Sequence, residues 1–278
     1  MNSTYIARCA QLAMLLEVSA TPKPGNVDRD HDFDDTKYEH FLASAISAGP
    51  IFERVAIAKK DVGYSIRELV EESARWQSGG NTHFGAFLLL APLVMAAGND
   101  DVKSVTSVVQ DTSVEDAVEL YKAFQRIDVR VGSVKELSID DPNSVNEIKR
   151  RELTLYDLMK ISSKYDAISH EWIGGFLRTF RGASVLEGKL GKMSVNDAII
   201  FTYLKLLSER PDTLVQSKFG TEKAMQVSEK ASRLIKNWDL DAIRDFDEEL
   251  ILERVNPGST ADIVIGSLFV ALLGGVKP

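Results

Sequence analysis

From Ser3 to Glu17 the chain writes a helix with apolar residues on nearly every side. Ile6, Ala10, Ala13 and Glu17 fall on one stripe, and Leu12, Leu15 and Leu16 cover most of the remainder. A helix that is apolar nearly all round has to be buried among others. It also ends on a carboxylate, at the negative end of its own dipole, so Glu17 requires a cation, a metal or a raised pKa. Both conditions restrict the fold to one that surrounds this helix and brings a charge partner to its end.

The rest of the chain repeats the helical period. Helices are expected from about Thr36 to Lys59, bent or broken at Gly49-Pro50, and from Ser65 to about Gln77, opened by Ser65-Ile-Arg-Glu68 as a capping box. Further helices are expected over Phe84–Ala97, from Ser113-Val-Glu-Asp116 onward, and over Leu155–Ser162, Ala167–Leu186, Ser194–Ser208, Thr221–Asn237, Asp239–Glu253 and Thr260–Leu273. Residues 126–153 read as a loop excursion, in which Val129-Arg-Val131 could be a short strand. No βαβ alternation or internal repeat is present. The expectation is all-α, a single-domain multi-helix bundle over residues 1–278.

With 44% hydrophobic and 27% charged residues the chain has the profile of a soluble protein. A net charge of −8 without a basic stretch argues against nucleic acid as a partner. The single Cys9 excludes an internal disulfide and fits a reducing compartment. The apolar run 9–16 lacks a basic leader and is cut by Glu17, so it is not read as a signal peptide. The run 263–276 is short for a membrane span, which takes ~20 residues. It is assigned to the core, with a homodimer surface as its other reading, and the protein is expected in the cytoplasm.

Three stretches carry chemistry. Glu17-Val-Ser-Ala-Thr-Pro-Lys-Pro-Gly-Asn-Val-Asp28 holds an acid, a lysine and a second acid in a loop shaped by prolines and glycine. Gly79-Gly80-Asn81-Thr82-His83 precedes a helix whose first amides could hold an anion, or is simply a tight turn with an N-cap. Asn256-Pro-Gly258-Ser259-Thr-Ala-Asp262 is a second glycine-bearing helix start, read either as an ordinary cap or as part of the same pocket. Asp28, Asp30, Asp32 and Asp34 nearly fit a calcium loop, but Phe33 stands where its glycine belongs. The bland alternative has Asp34 and Asp35 capping the next helix, and a middle one has Asp28 binding Mg²⁺. Asp166 and Glu171 are read as solvated helix-end residues. His31, His40 and His170 show no metal-ligand spacing.

Taken together, Glu17…Thr21-Pro-Lys-Pro-Gly25…Asp28, Gly79-Gly-Asn-Thr-His83-Phe-Gly85 and Pro257-Gly-Ser-Thr-Ala-Asp262 resemble the signature of triphosphoribosyl-dephospho-CoA synthases. The resemblance implies an all-helical enzyme with ATP as substrate and Mg²⁺ as its ion. It would transfer the triphosphoribosyl group to 3′-dephospho-CoA and release adenine, making a precursor of the citrate lyase and malonate decarboxylase prosthetic group. On this likeness Glu17, Asp28 and Asp262 are the catalytic and metal-binding carboxylates. Lys23, Gly25, Gly80, Asn81, Thr82, His83, Gly258 and Ser259 are the nucleotide-binding set. The chain departs from the family at Phe84-Gly85, where the bacterial enzymes have Lys-Gly, and over 128–150. The alternatives are the same nucleotide site with another acceptor, water included, and a helical nucleotide- or calcium-binding protein without catalysis.

Overall fold

A computed structural model describes residues 1–80, 82–99, 101–125, 137, 141 and 143–278. Among them the fold is all-α, with helices and no β-strand. In chain order the helices are α1 (Ser3–Ser19), α2 (Tyr38–Val55), α3 (Val62–Trp76), α4 (Phe84–Gly98), α5 (Val105–Gln110), α6 (Val114–Phe124) and α7 (Ser144–Arg150). They continue with α8 (Leu155–Ser162), α9 (Ala167–Ile173), α10 (Leu177–Lys189), α11 (Val195–Glu209), α12 (Thr213–Lys236), α13 (Leu240–Leu252) and α14 (Gly258–Leu273).

Two helices form the centre. In α4 every residue from Ala86 to Ala97 is buried, and α14 is buried along most of its length. They pack against each other and against α1, while α10 and α11 cover α14 and α2 and α3 flank α4. Tyr5, near the start of α1, donates its hydroxyl to Leu272 O at 3.1 Å, near the end of α14. The helices are therefore antiparallel, and the C-terminal end of α1 lies beside the N-terminal end of α14. The burial of α14 puts most of 263–273 in the core, while Gly274 and Gly275 are exposed. No helix among the described residues is long and apolar enough to cross a membrane.

Two of these helices, α2 and α4, contain a proline that does not break the helix. Pro50 lies inside α2 and Pro92 inside α4. Each lacks the N–H that would bond the carbonyl four residues back. Gln11 Nε2 donates to the freed Ile46 O at 3.1 Å, and Trp172 Nε1 donates to the freed Leu88 O at 3.0 Å. A Cβ on Gly49 would sit 2.3 Å from that Gln11 nitrogen, which explains the glycine beside Pro50. The expected break at Gly49-Pro50 is absent for this reason.

Other boundaries shift for local causes. α2 starts at Tyr38 rather than Thr36, and Asp32, not Asp34 or Asp35, accepts the Tyr38 N–H at 2.7 Å. α3 starts at Val62, so Ser65 lies inside it and donates to Asp61 O at 3.0 Å instead of capping. The helix expected over Ala167–Leu186 is two, interrupted at Gly174-Gly175 with Phe176 at φ 60°. α12 begins at Thr213 and passes a non-helical Gly220. Ser113 and Asp116 do form the expected capping box. The strand expected at 129–131 lies outside the described residues.

Candidate active site

The end of α1 receives its cation from the loop that follows. Lys23 is 1% exposed and donates Nζ to Glu17 O at 2.9 Å and to the Glu17 carboxylate. Burial still pushes the Glu17 carboxyl above its ordinary range, against the pull of Lys23. The loop is pinned from several sides. Asn196 pairs with both backbone groups of Thr21, its Oδ1 accepting at 3.0 Å and its Nδ2 donating at 2.8 Å. Asn26 Nδ2 donates to Tyr203 OH at 2.7 Å, and that hydroxyl donates to Pro24 O at 2.8 Å. Gly25 has φ 75°, and a Cβ there would lie 2.2 Å from Val255 O, so only glycine fits. Its N–H donates to Asp247 Oδ1 at 2.9 Å.

The start of α4 meets this loop. His83 is 1% exposed, and burial together with nearby Lys23 pushes its pKa down to about 3. Its Nδ1 lies 2.9 Å from Ser44 Oγ, which accepts from Ser73 Oγ at 2.8 Å, while Nε2 is buried without a partner. Of the glycine turn before it, Gly79 packs on His40 while Gly80 and Thr82 reach the surface. Asn81 lies outside the described residues.

The two glycine-bearing helix starts are brought together. A Cβ on Gly85 would sit 2.1 Å from Asp262 Oδ2, so the Asp262 carboxylate lies against the start of α4, beside the Ala86 N–H. Asp262 thus meets α4 from α14. Its surroundings, with Glu17 the nearest-acting charge, push its carboxyl well above the usual range, burial first among the causes. Gly258 and Ser259 open α14, and Asp212, from the loop between α11 and α12, caps that helix, accepting from Thr260 N–H and Oγ1 at 2.7 Å.

Asp28 lies across the loop from Glu17. Its Oδ1 accepts from the amides of Asp30 (2.9 Å) and His31 (3.0 Å), and its Oδ2 from that of Lys23 (3.2 Å). Asp28, His31 and Asp247 offer ligand atoms within 4.8 Å of one another. Among the described residues no other such trio is found, so Glu17 and Asp262 lie outside it. Spacing did not reveal His31, because its partner Asp247 is on α13. Nor is there a calcium cage in this loop: Asp30 accepts from Thr21 Oγ1 at 2.9 Å and Asp34 pairs with Arg254.

Asp166 and Glu171 are not solvated ends. Asp166 caps α9 through Ser169 N–H at 2.8 Å. Glu171 is 1% exposed and accepts from Thr179 N–H and Oγ1 at 2.8 Å, holding the start of α10. Asp247, Asp212, Ser44 and Ser73 also escaped the sequence reading. A signal existed for two of them. Ile243, Phe246, Asp247 and Leu250 are all buried on one face of α13, as are Ile66, Leu69, Val70 and Ser73 on α3. A polar residue in the core register of an amphipathic helix needs a buried partner. A separate cleft of about 480 Å³ lies at the far end of α4, lined among others by Lys59, Lys60, Asn99 and Asp111, and touches none of the three motif stretches.

The sequence profile described as CitG, ATP:dephospho-CoA triphosphoribosyl transferase, matches residues 3–277. The chain belongs to this family. Among relatives, it is 25% identical to the Streptococcus equi subsp. zooepidemicus protein named "Probable 2-(5''-triphosphoribosyl)-3'-dephosphocoenzyme-A synthase", over 96% of each chain. It is 25% identical to the Klebsiella pneumoniae 2-(5''-triphosphoribosyl)-3'-dephosphocoenzyme-A synthase, over 98% of this chain and 91% of that one. A crystal structure from Archaeoglobus fulgidus, of a protein bearing the triphosphoribosyl-dephospho-CoA synthase name, superposes with a TM-score of 0.70 at 32% identity. The match covers 85% of this chain and 100% of that one. In this triphosphoribosyl transferase family member, the three motif stretches named from sequence therefore occupy one end of the α1–α4–α14 core.

Proposed function

We propose that this protein transfers the triphosphoribosyl group of ATP to a hydroxyl of 3′-dephospho-CoA and releases adenine. The whole chain, 1–278, would act as one cytoplasmic transferase domain on small molecules. The observation that carries this reading is the meeting of the family's three blocks at the end of one helix core, where buried acids face a lysine and two helix N-termini. In the reaction the bond between adenine and ribose C1 breaks, the acceptor oxygen bonds to C1, and the hydroxyl proton leaves on adenine. Charge develops on the ribosyl carbon, which carboxylates stabilise.

Glu17 and Asp262 are assigned to that carbon and to the acceptor hydroxyl. Burial raises the Asp262 carboxyl well above the usual carboxylate range, which favours its protonated form. The Gly80–His83 turn and the start of α14 at Gly258-Ser259 would supply the positive side for the phosphates, while Lys23, buried and paired with Glu17, holds that carboxylate in place. Gly25 shapes the loop. When bound, Mg²⁺ would neutralise the triphosphate. Asp28 and Asp247 fit a divalent ion, since Asp247 Oδ2 is buried without a hydrogen-bond partner. Glu17 fits it poorly, its carboxylate being taken up by Lys23.

The test is chromatography of ATP incubated with protein and Mg²⁺, with and without dephospho-CoA. Adenine is expected only when dephospho-CoA is present. Release without it would point to water or another acceptor, and no release would end the reading. Glu17→Gln is expected to lower turnover at least 100-fold with an unchanged circular dichroism spectrum, a loss on the order of removing one preorganised electrostatic group.

A further inference from the structure

We propose that Asp28, His31 and Asp247 form a resident divalent-cation site on the free protein. The ion it prefers is one that accepts imidazole beside carboxylates, Mn²⁺ ahead of Mg²⁺. The inference rests on the functional reading only for the use of the ion, not for its binding.

The geometry carries it. His31 Nδ1 lies 3.0 Å from Asp247 Oδ2 and 3.9 Å from Asp28 Oδ1. Ions bound through N and O at about 2.0–2.2 Å set neighbouring ligand atoms roughly 3–4 Å apart. Yet His31 Nδ1 and Asp247 Oδ2 make no hydrogen bond with each other or with any other group. At 3.0 Å this means that a proton on Nδ1 would not point at the oxygen. Both atoms, with Asp28 Oδ1, face the same small space.

Charge supports the same conclusion. The side chains of Asp28 and Asp247 are both 0% exposed. Two buried carboxylates this close repel unless a cation lies between them. The nearest buried cation, Lys23, is committed to Glu17. Backbone amides hold both acids in position, Gly25 N–H on Asp247 Oδ1 and the Asp30 and His31 N–H groups on Asp28 Oδ1. Fixing ligand orientation in this way is how metal sites are tuned. His31, with 30% of its side chain exposed, gives the ion a route from solvent. Three protein ligands leave further positions for water or phosphate oxygens.

The histidine decides the ion class. Mg²⁺ is bound through oxygen and dehydrates reluctantly, whereas imidazole suits the transition metals and carboxylates suit Mn²⁺. A mixed set of one imidazole and two carboxylates therefore discriminates against Mg²⁺.

The experiment adds Mn²⁺ alone to the full-length, chelator-stripped protein and reads free Mn²⁺ by electron paramagnetic resonance, without nucleotide. One ion per chain is expected. Asp247→Asn keeps an oxygen for the Gly25 N–H, and His31→Ala lies on a partly exposed loop; each should weaken Mn²⁺ binding at least tenfold. Mg²⁺ should displace Mn²⁺ only in at least tenfold excess. Wild-type protein that binds no Mn²⁺, or binding that both variants leave intact, overturns the site. Displacement by an equal concentration of Mg²⁺ overturns the preference. Adenine release by a protein that binds no Mn²⁺ would remove this inference alone. Mn²⁺ binding without adenine release would remove the functional reading alone.

Discussion

Ser73 Oγ donates to Ser44 Oγ, which leaves the Ser44 proton available to His83 Nδ1 2.9 Å away, and we assign it there. That arrangement leaves His83 with its hydrogen on Nε2, the atom that has no protein partner. Burial and Lys23 keep the ring neutral, at a pKa of about 3. A neutral donor of this kind polarises a ligand oxygen or ring nitrogen rather than removing a proton. Ser44→Ala should therefore cost about tenfold in kcat, the worth of one buried hydrogen bond. The chain has four histidines, so ¹⁵N spectra can follow each ring. Wild-type His83 is expected as the Nε2–H tautomer from pH 5 to 8, with that tautomer no longer fixed in Ser44→Ala. A His83 that titrates near 6.5 would refute the relay.

Among the elements, α2 and α4 stand out because each carries an interior proline. Each leaves one carbonyl without its helical donor, and Gln11 and Trp172 supply one. The two differ in setting. The Trp172 bond is buried, while that of Gln11 to Ile46 O is exposed, where water can substitute. Trp172→Phe should lower stability by ~1–3 kcal/mol through the stranded Leu88 carbonyl. Gln11→Leu should cost less. Urea unfolding midpoints measure both, and equal midpoints for Trp172→Phe and wild type would show that Pro92 needs no such partner. These donors are invisible to a helical pattern, because they come from other helices.

At the scale of the molecule, the end of α1 and the starts of α4 and α14 meet, and the acids there set how stability depends on pH. Burial raises the carboxyls of Glu17, Asp166, Asp212 and Asp262. The stability such groups contribute is complete below the unfolded carboxyl pKa of ~4 and is lost as pH rises through their higher folded values. His83 acts in the other direction: with its folded pKa depressed to about 3, it costs stability as pH falls from ~6.5 toward that value. Asp247, raised to about 6, joins these carboxyls, and His170, lowered by burial, joins His83; the raised carboxyls are the larger set, so Tm should rise from pH 8 to pH 5 in protein free of divalent ions. Asp262→Asn keeps an acceptor for Ala86 N–H and removes one of these acids. It should raise Tm at pH 8, by ~2–4 °C for each kcal/mol gained, with a smaller gain at pH 5 and with turnover lost. A larger gain at pH 5 would contradict the assignment. Scanning calorimetry against pH decides both.

The sequence by itself determined the all-α class, most helix positions and the three chemical stretches, because helical period, glycine, proline and charge are local properties. It also required a partner for Glu17 by the simple cost of burying a carboxylate at a helix end. Which partner was a tertiary matter, decided when the loop turned Lys23 back onto Glu17. Tertiary structure alone placed Asp247 beside Asp28 and His31, set Asp262 on the start of α4, and joined Ser73 and Ser44 to His83. Those pairings depend on how helices far apart in the chain pack, and packing is fixed by the shapes of whole buried faces rather than by any one stretch of residues.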